Sequence, residues 1–325
     1  MSTLRQHSIS IIAAVGGAAL FAVAVQRAGT AEIVDGVRRV GWGLVAILAL
    51  AGLRFLIRAE CWRLCLPPET HFPLTRALAA FLAGDAVGSV TPLGLLASEP
   101  TKVVLTRHHL APGESVASLA VENLVYAGSV SAMIGLGLVA LAASVPLPRA
   151  WLAVVLLALA ALCAGAVIVV RALRGSWDPR RGARPRWRER LAAIREQVRR
   201  FSGRYAHRLW AVFALDVGFH ALAVIEVFLT LRWLLGDRSP TLVQAIVFEA
   251  LNRIITVVFK FVPFRVGVDE ASAGALAPML AINPAAGVAL AVVRKVRNLF
   301  WAAIGLALVA MHPADRTAIR TTKAV

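Results

Sequence analysis

Apolar runs recur along this chain at the length of a bilayer crossing. Ser115–Ala143 carries a single charged side chain, Glu122, and Pro146–Val170 carries only Arg149. About 20 such residues in a helix span the hydrocarbon core, where only helices and closed barrels satisfy their own backbone groups. Ser8–Val25, Val40–Arg58, Leu209–Leu235 and Ala285–Ala310 read as four further spans. Arg54 and Arg58 close the second of these and can snorkel toward the headgroups. Gln26–Arg39 reads as a short polar loop and Cys61–Phe72 as a connector. The N-terminal run has no small-residue cleavage site, so it reads as a retained span rather than a signal peptide. The chain is 59% hydrophobic and 16% charged. A soluble domain carries roughly 25% charged residues, and no stretch here is left for a soluble catalytic domain.

The net charge is +17, and only four of the 35 basic residues are Lys. The excess sits in loops beside apolar spans, which argues for the positive-inside rule and against nucleic acid as a partner. Arg171–Arg208 is therefore expected in the cytoplasm. Counting spans outward from it places both termini there, in a multi-pass protein of a bacterial inner membrane. Within this loop Trp187, Leu191, Ile194, Val198, Phe201 and Tyr205 recur at helical spacing between arginines. The pattern predicts a basic amphipathic helix on the anionic inner leaflet, or packed on neighbouring cytoplasmic ends.

Two polar stretches share one plan. Thr91–Leu105 reads TPLGLLASEPTKVVL and Val262–Leu276 reads VPFRVGVDEASAGAL. Pro92 precedes Glu99 by seven residues, and Pro263 precedes Glu270 by seven. The strings IGLGLVAL from Ile134 and IGLALVAM from Ile304 follow at nearly equal distances, so the two copies read as one unit used twice. Each copy is too short and polar to cross twice in lipid. Each is expected as a membrane-embedded helical hairpin, residues 73–109 and 241–282. Three full spans separate them, so the second copy is inverted, the plan that serves alternating access about a midplane site. Hairpin legs that all cross would give about ten spans with the same topology. The expected fold is an all-α polytopic membrane protein with about six full spans and two re-entrant hairpins in an inverted repeat. Its segments are an N-terminal two-span segment (1–72), a first repeat (73–172), the basic segment (173–208), a second repeat (209–311) and a cytoplasmic tail (312–325).

Proline at each break starts a helix well, and the resulting positive helix end favours phosphate or carboxylate. Lys102 lies three residues after Glu99, and Arg265 lies just after Pro263. Glu249, Arg253, Thr256 and Lys260 fall on one face of Leu242–Val262. A charge in hydrocarbon costs several kcal/mol by most estimates, so these groups must face a cavity or one another. Glu99, Glu122, Glu249, Arg253, Glu270, Arg294 and Arg297 thus either hold the hairpins by buried ion pairs or bind a headgroup. Asp216 and His220 share a helix face at i,i+4 and suit a proton relay or a structural hydrogen bond. Cys61 and Cys65, with His71 nearby, read as inert thiols rather than a metal site, and no cofactor is expected. The chain has no G-x-S-x-G, H-E-x-x-H or P-loop, so it is not expected to be an enzyme.

TPLGLLASEPTK at Thr91–Lys102, Glu114-x7-Glu122-Asn123 and VPFRVGVDEASAGAL resemble the lysylphosphatidylglycerol synthase membrane-domain family, also called flippase-like. The resemblance covers roughly Pro73 to Ala310. It implies a lipid-translocating membrane domain with paired re-entrant elements carrying Pro, Gly and Glu. On that basis Pro92, Gly94, Glu99, Lys102, Glu122, Pro263, Gly267 and Glu270 match motif positions. Arg265 and Val266 stand where glycines are common. The aminoacyl-transferase domain of two-domain members has no counterpart here. TPLGLLASEP also resembles the branch associated with hopanoid synthesis, which implies a hopanoid or other polycyclic lipid as cargo. The expected function is lipid movement between leaflets, with the headgroup between Glu99/Lys102 and Arg265/Glu270 and Arg294 and Arg297 nearby. The alternatives are an intramembrane enzyme acting on a lipid phosphate and a scaffold for lipid-synthesis enzymes.

Overall fold

A computed structural model describes residues 30–91, 94–146, 148–174, 196, 203–236 and 238–311. The expected first span, Pro92, the stretch from Trp187 to Phe201 apart from Glu196, and the tail lie outside the described residues. All regular structure among the described residues is helical. The helices are α1 (Thr30–Val40), α2 (Gly43–Leu64), α3 (Leu74–Val90), α4 (Gly94–Thr106), α5 (Pro112–Ser144), α6 (Arg149–Arg174), α7 (Ala206–Leu235), α8 (Leu242–Val258), α9 (Val268–Leu276) and α10 (Pro284–Met311). Short 3-10 turns at Pro263–Arg265 and Ala277–Leu280 flank α9.

Among the described residues, three helices are long and apolar enough to cross a membrane: Pro112–Ser144, Arg149–Val167 and His207–Leu235. A fourth is Val34–Val40 with Gly43–Leu64, if that pair, bent by 73°, is one span. The bend falls at Gly41, whose φ of +46° suits a residue without Cβ. The polar loop expected at Gln26–Arg39 is instead helical from Thr30. Asp35 and Arg39 pair at 2.6 Å one turn apart, and Arg38 and Arg39 face the negative helix end. Val37 and Val40 pack into the core below. Helix α10 has 28 residues but carries Arg294, Lys295 and Arg297, so apolarity alone does not qualify it.

The remaining elements are short. Helix α4 has 13 residues and α9 has nine, about 20 and 14 Å at 1.5 Å per residue. Both fall well below the roughly 30 Å of a hydrocarbon core. The α3–α4 pair begins and ends at one end of the bundle. There the Phe72 and His109 rings lie 6.5 Å apart, Thr70 donates to Glu114 at 2.7 Å, and Arg208 donates to the Leu66 carbonyl at 3.0 Å. The α8–α9 pair begins and ends at the opposite end, where Gln244 donates to the Leu280 carbonyl at 2.8 Å. One apolar core lies at each end. Trp62, Leu66, Phe72, Phe81 and Leu119 form the first. Ile47, Leu231, Phe248, Leu280 and Leu290 belong to the second. The charged groups lie between these two cores.

Candidate functional site

The charges inside the bundle form three groups. Nearest Arg208, Arg58 on α2 lies 2.6 Å from Glu122 on α5 and 3.7 Å from Asp216 on α7. Its guanidinium sits 3.6 Å above the Tyr126 ring. Cys61 is 3.9 Å from the Asp216 carboxylate, close enough for a weak thiol donor bond.

The second group joins four helices. Glu226 on α7 accepts from Arg54 at 2.9 Å and from Arg297 on α10. Glu249 on α8 accepts from Arg253, one turn on, and from Arg294 on α10. Arg294 also lies 4.0 Å from Glu226, so it links the two carboxylates. Arg253 donates to the Tyr126 hydroxyl at 3.2 Å, which connects this group to the first. Four guanidinium groups thus face two buried carboxylates, and the Nε atoms of Arg54 and Arg294 have no hydrogen-bond partner. Spacing explains the convergence. Positions 54 and 58, 249 and 253, and 294 and 297 each lie about one turn apart, so each helix presents both groups to one seam.

The third group belongs to the breaks. On α4, Lys102 pairs with Glu99 at 2.8 Å, and its ammonium lies 4.1 Å over the Phe81 ring. In the second copy Arg265 pairs with Asp269 at 3.1 Å, and Lys295 pairs with Glu270 at 2.6 Å. The other Glu270 oxygen accepts from the Gly267 N–H at 2.8 Å, closing the first turn of α9. Gly267 has φ +80°, as the notch before that helix requires. Phe264 and Arg265 also have positive φ, 48° and 49°, in the loop where the sequence lacks the expected glycines. Left-handed backbone costs a non-glycine residue roughly 1–2 kcal/mol.

Asp85 on α3 ties the two breaks together. It is exposed although it lies in an apolar helix, and its charged neighbours are Lys102, Arg265, Arg297 and Arg54. Lys260, also exposed, has Glu99 and Lys102 as charged neighbours. Asp85 and Lys260 therefore stand among charged side chains of both breaks.

The sequence-predicted residues divide accordingly. Gly94, Glu99, Lys102, Pro263, Arg265, Gly267 and Glu270 lie at the two breaks, whereas Pro92 lies outside the described residues. Arg253, Arg294 and Arg297 join one another through Glu226 and Glu249, and Glu122 goes to Arg58. Asp216 and His220 take separate partners, Arg58 for the first and the Ser129 hydroxyl, at 3.1 Å, for the second. Tyr205 is half-buried at the start of α7 and is the one described member of the amphipathic stretch.

Sequence reasoning passed over Asp85, Tyr126, Glu226, Lys260 and Lys295 as site residues, and it took Arg54 and Arg58 for snorkelling ends. Lysine carried a usable signal. In a chain with four Lys among 35 basic residues, three of the four (Lys102, Lys260 and Lys295) lie at the breaks. An ammonium is a compact, strongly hydrated charge, unlike a guanidinium fork.

No curated protein and no solved structure matches this chain. A family match spans residues 9–305, which include every charged group described above except those beyond its ends. The chain belongs to the family described as the lysylphosphatidylglycerol synthase TM region.

Proposed function

We propose that this protein moves an amphipathic lipid, a phospholipid or a hopanoid or polyisoprenoid lipid, between the leaflets of a bacterial inner membrane. The observation that carries the reading is Asp85. An exposed carboxylate within an apolar helix, with cations of both breaks among the charges that act on it, suits the passage of a polar headgroup. The tails stay in lipid while the headgroup passes Glu99, Lys102, Lys260, Arg265 and Glu270. The arginine layer behind these side chains supplies a positive field suited to phosphate.

The opposite-facing short pairs fit an inverted repeat in which α2, α5, α6, α7 and α10 cross fully. In this reading the Arg208 end is cytoplasmic and the Gln244–Leu280 end faces outward. Helix α10 can cross despite its cations because Glu226, Glu249 and Glu270 pair with them.

Purified protein in vesicles, with fluorescent lipid in one leaflet, provides the test. Asp85→Asn should slow leaflet transfer roughly tenfold, equivalent to about 1.4 kcal/mol, with thermal stability little changed. Transfer at the wild-type rate by a folded Asp85→Asn, Lys102→Gln form would sink the reading.

A further inference from the structure

A cavity lies at the Gln244–Leu280 end of the bundle. Its volume is about 430 Å³, within the range of small-ligand sites. Helix α1 supplies Asp35 and Arg39, the turn after α7 supplies Arg238 and Ser239, and the start of α10 supplies Asn283 and Ala286. One wall is polar and the other is built from Leu234, Ile282 and small α10 residues.

The charges at this cavity are unevenly committed. Arg39 is held by Asp35 at 2.6 Å. Gln244 is partly committed, since its oxygen accepts from the Thr241 N–H and one of its two amide N–H groups donates to the Leu280 carbonyl. Asn283 uses its oxygen to cap the Ala285 N–H, which leaves its amide N–H groups to the cavity. Arg238 is exposed and has no side-chain partner among the described residues. Among the described residues the free donors are therefore the Arg238 guanidinium and amide N–H groups, with the positive end of α10 beside them and the one lining carboxylate, Asp35, spent on Arg39. Apolar surface on the opposite wall fits a glycerol backbone or the first methylenes of a chain.

The cavity also sits in register with the arginine layer. Along α7, Leu234, Thr230 and Glu226 lie on one face, and along α10, Ala289, Val293 and Arg297 do likewise. Two turns, or about 12 Å of helix, separate the cavity from the Glu226–Arg297 pair. Leu231, Leu290 and Val293 are buried in between and seal it from that layer.

We infer that this cavity binds a phosphate-type anion through Arg238 and Asn283, at the end of the molecule opposite the mouth of α3–α4. The inference rests on the transport reading only for the choice of a lipid probe. The full-length protein in detergent would be titrated calorimetrically with dihexanoyl phosphatidylglycerol and, separately, with inorganic phosphate. Saturable binding is expected. Arg238→Gln should weaken it roughly tenfold or more, as loss of one charge-assisted hydrogen bond implies. Ala286→Met fills the cavity without touching the charges and should weaken binding comparably, whereas Arg149→Gln on α6 should leave it unchanged. Competition by inorganic phosphate would identify the free anion as sufficient, and binding of the lipid alone would assign the site to a headgroup with its glycerol. No binding of either probe, or binding indifferent to both Arg238→Gln and Ala286→Met, overturns the inference. Because the readout is binding and the transport test is leaflet transfer by Asp85→Asn, either reading can fail while the other stands.

Discussion

The two short helix pairs share a sequence plan and are held in the bundle by different forces. In the first, α3 and α4 press backbone against backbone. A Cβ built on Gly94 would lie 2.2 Å from the Gly88 carbonyl oxygen, and one on Gly305 of α10 would lie 2.2 Å from the Leu82 carbonyl oxygen. Its charge pair, Lys102–Glu99, is internal to α4, and Glu99 keeps a quarter of its side chain exposed. In the second, α8 and α9 are separated by an irregular, left-handed loop, and their carboxylates are fastened to α10. Glu249 is paired to Arg294 and Glu270 to Lys295, and both carboxylates are wholly buried. Apolar backbone contacts can slide or separate with little penalty, whereas a buried ion pair cannot open without stranding a charge. Both pairs are closely packed, since a Cβ on Gly287 of α10 would lie 2.4 Å from the Ala273 carbonyl oxygen of α9, and among the described residues the comparison assigns ion pairs to α10 to the second pair alone.

That assignment can be broken at several points. Glu249→Ala removes a shared partner of Arg253 and Arg294 and should cost about 3–5 kcal/mol, as for other broken buried pairs. Glu99→Ala, in the first copy, leaves the buried Lys102 ammonium without its carboxylate and should cost about 1–3 kcal/mol, less than Glu249→Ala because only one cation loses its partner. Thermal or denaturant unfolding in detergent checks both, and equal losses would remove the distinction. Lys295→Met should destabilise by about 2–3 kcal/mol, since Glu270 keeps only the Gly267 N–H. Lys102→Met should fall near 1 kcal/mol or less. Gly94→Ala should cost about 1–3 kcal/mol by forcing α4 off α3, and should alter leaflet transfer more than any change in α9 of equal stability. The smallest effect is expected at the second break. Phe264→Gly relieves a left-handed residue, worth roughly 1–2 kcal/mol, and loosens the unfolded chain by a similar amount. Stability should therefore move by less than about 1 kcal/mol, and a large loss would show that the Phe264 ring, not the backbone, holds that loop.

The breaks were legible because the residues that make them act locally. Pro263, Gly267 and Glu270 cap and notch one helix turn, and their spacing shows this without any partner. Lys102 and Glu99 are likewise one turn apart on one helix. Groups whose partners lie on distant helices were not legible. Arg54 and Arg58 look like snorkelling ends until α7 and α5 bring Glu226, Asp216 and Glu122 against them. Asp216 and His220 share a helix face, yet α2 and α5 offer each a better-placed partner than the other.

By itself, then, the sequence determined the all-helical membrane class, the polar segments at the breaks and the family, all of which depend on hydrophobicity and on chemistry within one or two turns. The tertiary structure decided which charge meets which, that Asp85 is exposed among the charges of both breaks, and that the second hairpin adds ion pairs to α10. Those outcomes depend on side chains more than a hundred residues apart in some pairs, such as Arg54 and Glu226. A one-dimensional pattern carries the polarity of such residues, and only their packing fixes the distances through which charges act.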